Sequence, residues 1–267
     1  MSSGLSVDVL RRAKAEGLPV SAETCPHYLT LDCDHIPDNA TAFKCCPPIR
    51  DLHEQDALWA GLADGTLDGV VTDHSPASAD MKAGTLATAW GGVSSLQVGF
   101  RAVLTGAMRR GLSLADVVRW MSCNTARLVG LDDRGDITPV LRADLAIIRP
   151  YERFVVDATA LESRNPICAC DGMTLNGVVT RTFVAGRDAL SGVREGILSF
   201  VRESESINQP FNKNPQPADG RMSFDVGRLG TDENQVSAQV SGRVLGELVG
   251  ATGVAEVVGD AAVFAGR

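Results

Sequence analysis

Helix-like and strand-like segments alternate through the first part of this chain, and that alternation limits the folds open to it more than any other feature. The opening GLSVDVLRRAKAEGLPVSAETC reads as a helix with apolar positions at Leu5, Val9, Leu10 and Ala13, stopped by Gly17 and followed by a strand beginning at Pro19. TAFKCCPP is the next strand candidate. A helix N-capped by Asp51 then runs through LHEQDALWAGLAD to Gly65, and LDGVVTDHS supplies a third, buried strand. Strands separated by helices at this spacing predict a parallel α/β sheet. Each strand ends in polar residues able to do chemistry, which favours a (β/α)8 barrel of the TIM type over an open sheet. A closed barrel needs eight strands and about 250 residues, and far fewer strands are visible here. Either the sheet is open, with edges that invite aggregation, or the chain is the C-terminal part of something longer.

After Pro76 comes a long loop, PASADMKAGTLATAWGG, and then two helical stretches over about 94–110 and 113–129. Short alternating runs from RGDITPVLRADLAIIRP to LNGVVTRTFVAG predict a small β domain over 136–190, leaving 1–135 to the barrel. The segment SESINQPFNKNPQPADG is rich in Ser, Asn, Gln and Pro, so 191–267 reads as a linker and an unassigned tail, with disorder expected.

With 267 residues and 44% hydrophobic content, the chain can bury a sizeable core. A formal charge of −8 disfavours nucleic acid or an anionic membrane as partner, since both require a basic surface. No span approaches the roughly 20 apolar residues of a membrane helix. The seven cysteines are odd in number and follow no signal peptide, which reads as reduced thiols in the cytoplasm. A small-molecule substrate is the expected partner.

His27 follows the first strand and Asp73 follows the third, both in rim positions. Barrel strand ends converge on one mouth, so the two can meet there. Imidazole and carboxylate suit zinc or a similar divalent ion, with Asp73 also placed to take a proton from an attacking water. Simpler readings stand beside this one: His27 as a hydrogen-bonded structural residue and Asp73 as the cap of a turn before Pro76. His35 and His53 read as solvated surface groups, and His74 as support for Asp73. A rival structural zinc site would join Cys25 and His27 to Cys45 and Cys46, although the spacing fits no CxxC pattern.

ETCPHYLTL, KCCPPIRD, DGVVTDHSP, MKAG and AWGGVSSLQ, in this order, resemble the allantoinases, a branch of the cyclic amidohydrolase group that includes dihydropyrimidinase, hydantoinase and dihydroorotase. The resemblance covers residues 1–189. It implies the C-terminal part of a metal-dependent amidohydrolase barrel, a small β-sandwich portion, and opening of the hydantoin ring of allantoin to give allantoate. It assigns His27 to the metal-ligand histidine after the sixth barrel strand, and Asp73 to the ligand and general base after the eighth. Cys46 matches a strand-seven residue whose backbone contacts the ring amide, and Gly91 lies in the loop giving a second backbone contact. Val140 and Leu141 replace the usual Pro-Gly type of turn. The family's His-x-His after strand one and its bridging lysine after strand four have no counterpart, and the histidine after strand five should stand just before Ser2-Ser3.

The expectation is therefore an allantoinase seen in its C-terminal half, from a truncated gene model or a split chain, and inactive alone. Its full site would hold two divalent ions, zinc by expectation. The complete protein would be a homo-oligomer, or this chain would need its missing N-terminal half. Two alternatives are a hydantoinase or dihydropyrimidinase-type hydrolase and a non-catalytic amidohydrolase-like partner subunit.

Overall fold

The computed structural model describes residues 1–189 and the strand segments 197–199, 221–223, 256–258 and 261–265. Helix α1 (Gly4–Ala15) leads to β1 (Glu23–Thr24), the short α2 (Pro26–Thr30), α3 (Leu52–Ala63) and β2 (Gly69–Val70). Gly17 ends the α1 region with φ +77, and Asp51 caps α3 by accepting from the Glu54 N–H at 3.0 Å, both as the sequence predicts. The buried stripe of α1 differs from the predicted one: Val7 is buried, whereas Leu5 is 73% and Val9 50% exposed. The cause lies on α3, where a Cβ on Gly61 would stand 2.8 Å from Val7 Cγ1. The missing side chain lets α1 lean in on Val7.

Strands β1 and β2 are parallel hydrogen-bonded neighbours, with Glu23 opposite Gly69 and Thr24 opposite Val70. The strand expected between them does not form. Thr41–Phe43 is a 3-10 turn and residues 44–48 are irregular, with a cis Cys46–Pro47 bond. Pro47 and Pro48 have no N–H to give a sheet ladder. Two hydrogen bonds, Met1 N to Glu23 O and Thr24 Oγ1 to Met1 O, lay the start of the chain beside β1. The Ala22 and Thr24 carbonyls face β2, so the intervening Glu23 carbonyl faces the opposite edge. Counting β2 as the eighth barrel strand thus makes β1 the seventh. On that count Met1, bonded to the far edge of β1, stands in the place of the sixth, and the adjacency of β1 and β2 sets His27 after the seventh strand where the resemblance expects the sixth.

Beyond β2 come α4 (Ala79–Lys82), α5 (Gly99–Arg109), α6 (Leu114–Val118), a π-helical turn (Arg119–Cys123) and α7 (Asn124–Leu128). Ser113 and Asp116 form a reciprocal capping box that fixes the start of α6 where the sequence places it. Helix α5 begins later than predicted because 94–98 form the loop against residues 72–75. Leu58, Trp59, Leu62, Val70, Leu104, Val117 and Trp120 make one core behind β2, and Ala146 and Ile148 join it.

Those last two belong to β3 (Leu145–Val155), which pairs antiparallel with β4 (Thr174–Val184). Beyond β4 lies β5 (Arg187–Asp188). The remaining described strands are β6 (Ile197–Ser199), β7 (Arg221–Ser223), β8 (Glu256–Val258) and β9 (Ala261–Ala265), the sheet running β5-β4-β3-β9-β8. The expected linker and tail otherwise fall outside the described residues.

In the approach to β3, Val140 is fully exposed with φ +78, a left-handed conformation that is rare for a β-branched side chain. Val140→Gly is expected to raise stability by about 1 kcal/mol, read from urea unfolding, because glycine adopts this conformation without the Cβ clash.

Candidate metal centre

Each strand delivers one end of the site. After β1, Cys25 stands at the N-cap of α2, Pro26 occupies the first turn and His27 follows. Helix α2 is held by its buried Tyr28 and Leu29, and the Leu29 carbonyl accepts from Trp59 Nε1 at 3.1 Å. After β2, the Val71 N–H donates to Thr24 O at 3.0 Å, and two residues on Asp73 adopts φ +43. Aspartate tolerates this left-handed turn, which leaves its carboxylate exposed at the strand end.

Ligand atoms of Cys25, His27 and Asp73 all lie within 4.8 Å of one another. His27 is 2% exposed, and neither ring nitrogen has a hydrogen-bond partner. A buried imidazole with two unsatisfied nitrogens is costly, and a ligand at one of them relieves that cost. Burial pulls the His27 pKa down to about 4 against the opposing pull of Asp73, so the ring is neutral at pH 7 with a lone pair to offer. Burial pushes the Cys25 thiol up to about 12, reinforced by Asp73, so a metal bound there would have to displace the thiol proton. Sulfur, nitrogen and oxygen together form a donor set suited to zinc.

The structure thus brings His27 and Asp73 together. It adds Cys25, which the sequence places only in the rival zinc site; the Cys-x-His spacing across a helix N-cap was the available signal. The rival set does not form among the described residues: Cys45 Sγ donates to Pro47 O at 3.2 Å, and Cys46 is exposed. His74 Nδ1 accepts from the Ser95 and Leu96 N–H groups at 3.1 Å each, which ties the chain after Asp73 to the 94–98 loop. His35 and His53 are exposed. The Cys46 and Gly91 loops touch each other: a Cβ on Gly91 would lie 4.0 Å from Cys46 N, and Gly92 N–H donates to Lys44 O at 2.8 Å.

Residues 9–188 match the model of the amidohydrolase family. The chain belongs to the amidohydrolase family. This amidohydrolase is 55% identical over 186 residues to an allantoinase of Streptomyces avermitilis, covering 70% of the chain and 42% of the relative. It is 37% identical over 191 residues to an allantoinase of Saccharomyces cerevisiae, covering 70% of the chain and 41% of the relative. Among solved structures it resembles a D-hydantoinase (dihydropyrimidinase) from Thermus sp. with a TM-score of 0.65 at 26% identity, over 71% of the chain and 43% of that structure. The chain spans less than half the length of the curated relatives it matches. No helix of the described residues is long and apolar enough to cross a membrane.

Proposed function

We propose that the chain is the C-terminal part of an allantoinase-like cyclic amidohydrolase, whose complete form opens the hydantoin ring of allantoin to allantoate. The observation that carries this is the meeting of a buried, unpartnered imidazole with a carboxylate at the ends of neighbouring strands, in a chain 55% identical to an allantoinase. His27 and Asp73, joined by Cys25, would hold a divalent ion, zinc by donor chemistry. Such an ion supplies Lewis acidity and brings the pKa of a water down to about 7. Asp73 takes the proton of the attacking water and returns it to the departing ring nitrogen, while backbone groups at Cys46 and Gly91 orient the ring. Residues 1–135 contribute to a closed barrel, 136–190 to a β-sandwich, and the protein works in the cytoplasm as a homo-oligomer or joined to its N-terminal half.

The neighbouring-strand position of His27 favours a second reading, in which its neutral imidazole hydrogen-bonds the ring or the water beside Asp73 without binding metal. Cobalt binding to the purified chain separates the two. On the first reading the chain takes up one cobalt with a thiolate charge-transfer band, and Cys25→Ser abolishes the band. His27→Ala and Asp73→Asn should then each weaken binding beyond the roughly 10–100-fold that loss of an outer partner costs. Unchanged affinity in His27→Ala selects the second reading, and absence of cobalt binding in the wild type overturns the metal centre. Supplied with zinc, the chain alone is expected not to turn over allantoin, because the rest of the two-metal ligand set is missing from it.

A further inference from the structure

The MKAG motif gives no donor to the Cys25, His27 and Asp73 cluster, yet the fold buries its lysine. Lys82 ends α4 and is 7% exposed. Its Nζ donates to the carbonyls of Thr41 at 3.1 Å, Lys44 at 3.3 Å, Trp90 at 3.0 Å and Gly92 at 2.7 Å. An ammonium carries three protons, so four carbonyls share them. Burying a cation among carbonyls alone costs free energy that an apolar side chain of the same length would avoid. Space filling therefore does not account for a lysine here.

The carbonyls come from the two loops that contain Cys46 and Gly91. Thr41 Oγ1 donates to Lys82 O at 2.7 Å, Trp90 N–H to Met81 O at 2.7 Å, and Gly92 N–H to Lys44 O at 2.8 Å, so the loops are knitted around the lysine. In a trans peptide the N–H points opposite to the C=O. With the Lys44 and Trp90 oxygens turned onto Lys82, the N–H groups of Cys45 and Gly91 face away from it, and neither donates to another described residue. The ammonium also polarises both peptides, which strengthens those N–H groups as donors. The Cys45 thiol feels the charges of both Asp73 and Lys82, so this loop lies close to the lysine and to the candidate metal centre.

We propose that Lys82 is a positioning residue for substrate: by gathering four carbonyls it holds the Lys44–Cys45 and Trp90–Gly91 peptides with their N–H groups presented to the cyclic amide. This rests on the ring-opening function proposed above. The test is binding of hydantoin to the isotope-labelled chain, followed by NMR at the Cys45, Cys46 and Gly91 amides, in the wild type, Lys82→Met and Lys82→Arg. The wild type is expected to show saturable shifts at these amides. Lys82→Met should bind at least tenfold more weakly and Lys82→Arg should recover most of that loss, with the Cys25 and His27 signals of the ligand-free chains unmoved. A packing role gives the opposite order, since methionine matches the lysine stem and arginine overfills the space. Equal binding by the wild type and Lys82→Met overturns the role of the lysine and leaves the proposed function standing. Wild-type amides that do not respond overturn the presentation of these N–H groups to substrate, while the cobalt experiment tests the metal centre separately. If Lys82→Met does not fold, the neutral Lys82→Gln takes its place with the same expected loss, and wild-type affinity in that variant overturns the proposal.

Discussion

Between pH 6.5 and pH 4 the metal-free chain is expected to lose about 3 kcal/mol of folding stability to His27 alone. The folded state holds this imidazole at a pKa of about 4, against 6.5 for an ordinary histidine, chiefly because burial excludes the charged form. Below pH 6.5 the unfolded chain takes up the proton and the folded chain does not, so stability falls as pH falls. The loss ends near pH 4, where the folded state is protonated too. Urea unfolding at pH 7, 5.5 and 4.5 measures the slope, and His27→Gln, which does not titrate, should lack this component. If the two chains share the same pH dependence, the ring is not buried neutral, and the lone pair required for metal binding loses its physical basis.

Trp120→Ala is expected to cost about 3–5 kcal/mol, the range for removing a large buried aromatic, again read from urea unfolding. Trp120 is 1% exposed and packs edge-on to Trp59 with ring centroids 6.2 Å apart. Its carbonyl would lie only 2.7 Å from a Cβ on Gly69, so the π-helical turn is pressed against the first residue of β2. Four residues beyond Gly69 stands Asp73. Truncation should therefore weaken cobalt binding as well as stability, whereas a change in stability alone would show that β2 keeps its place without the indole.

Much of the local structure was legible in the sequence because its causes are local. Asp51 caps α3, Gly17 and Gly65 adopt positive φ where the helices stop, and Ser113 with Asp116 starts α6. The strand predicted in TAFKCCPP was misread for a different reason. Its alternating residues suit a strand, but the two prolines lack ladder N–H groups and Lys44 O is taken by Lys82 and Gly92. The outward turn of Leu5 and Val9 was equally hidden, since apolar period alone does not reveal which helix lacks a side chain at the contact.

For the site, His27 and Asp73 were found from their positions after strands, and the five motifs carried the resemblance to cyclic amidohydrolases. The sequence by itself determined the family, the succession of α1, β1, α3 and β2, and the residue types available for chemistry. Only the tertiary structure decided that β1 and β2 are nearest neighbours, that Cys25 joins His27 and Asp73, and that Lys82 is buried among four carbonyls. Helix caps and turn glycines act over a few residues and leave a readable trace. Strand adjacency and the burial of a charge depend on which distant segments exclude water from one another, and no local pattern encodes that.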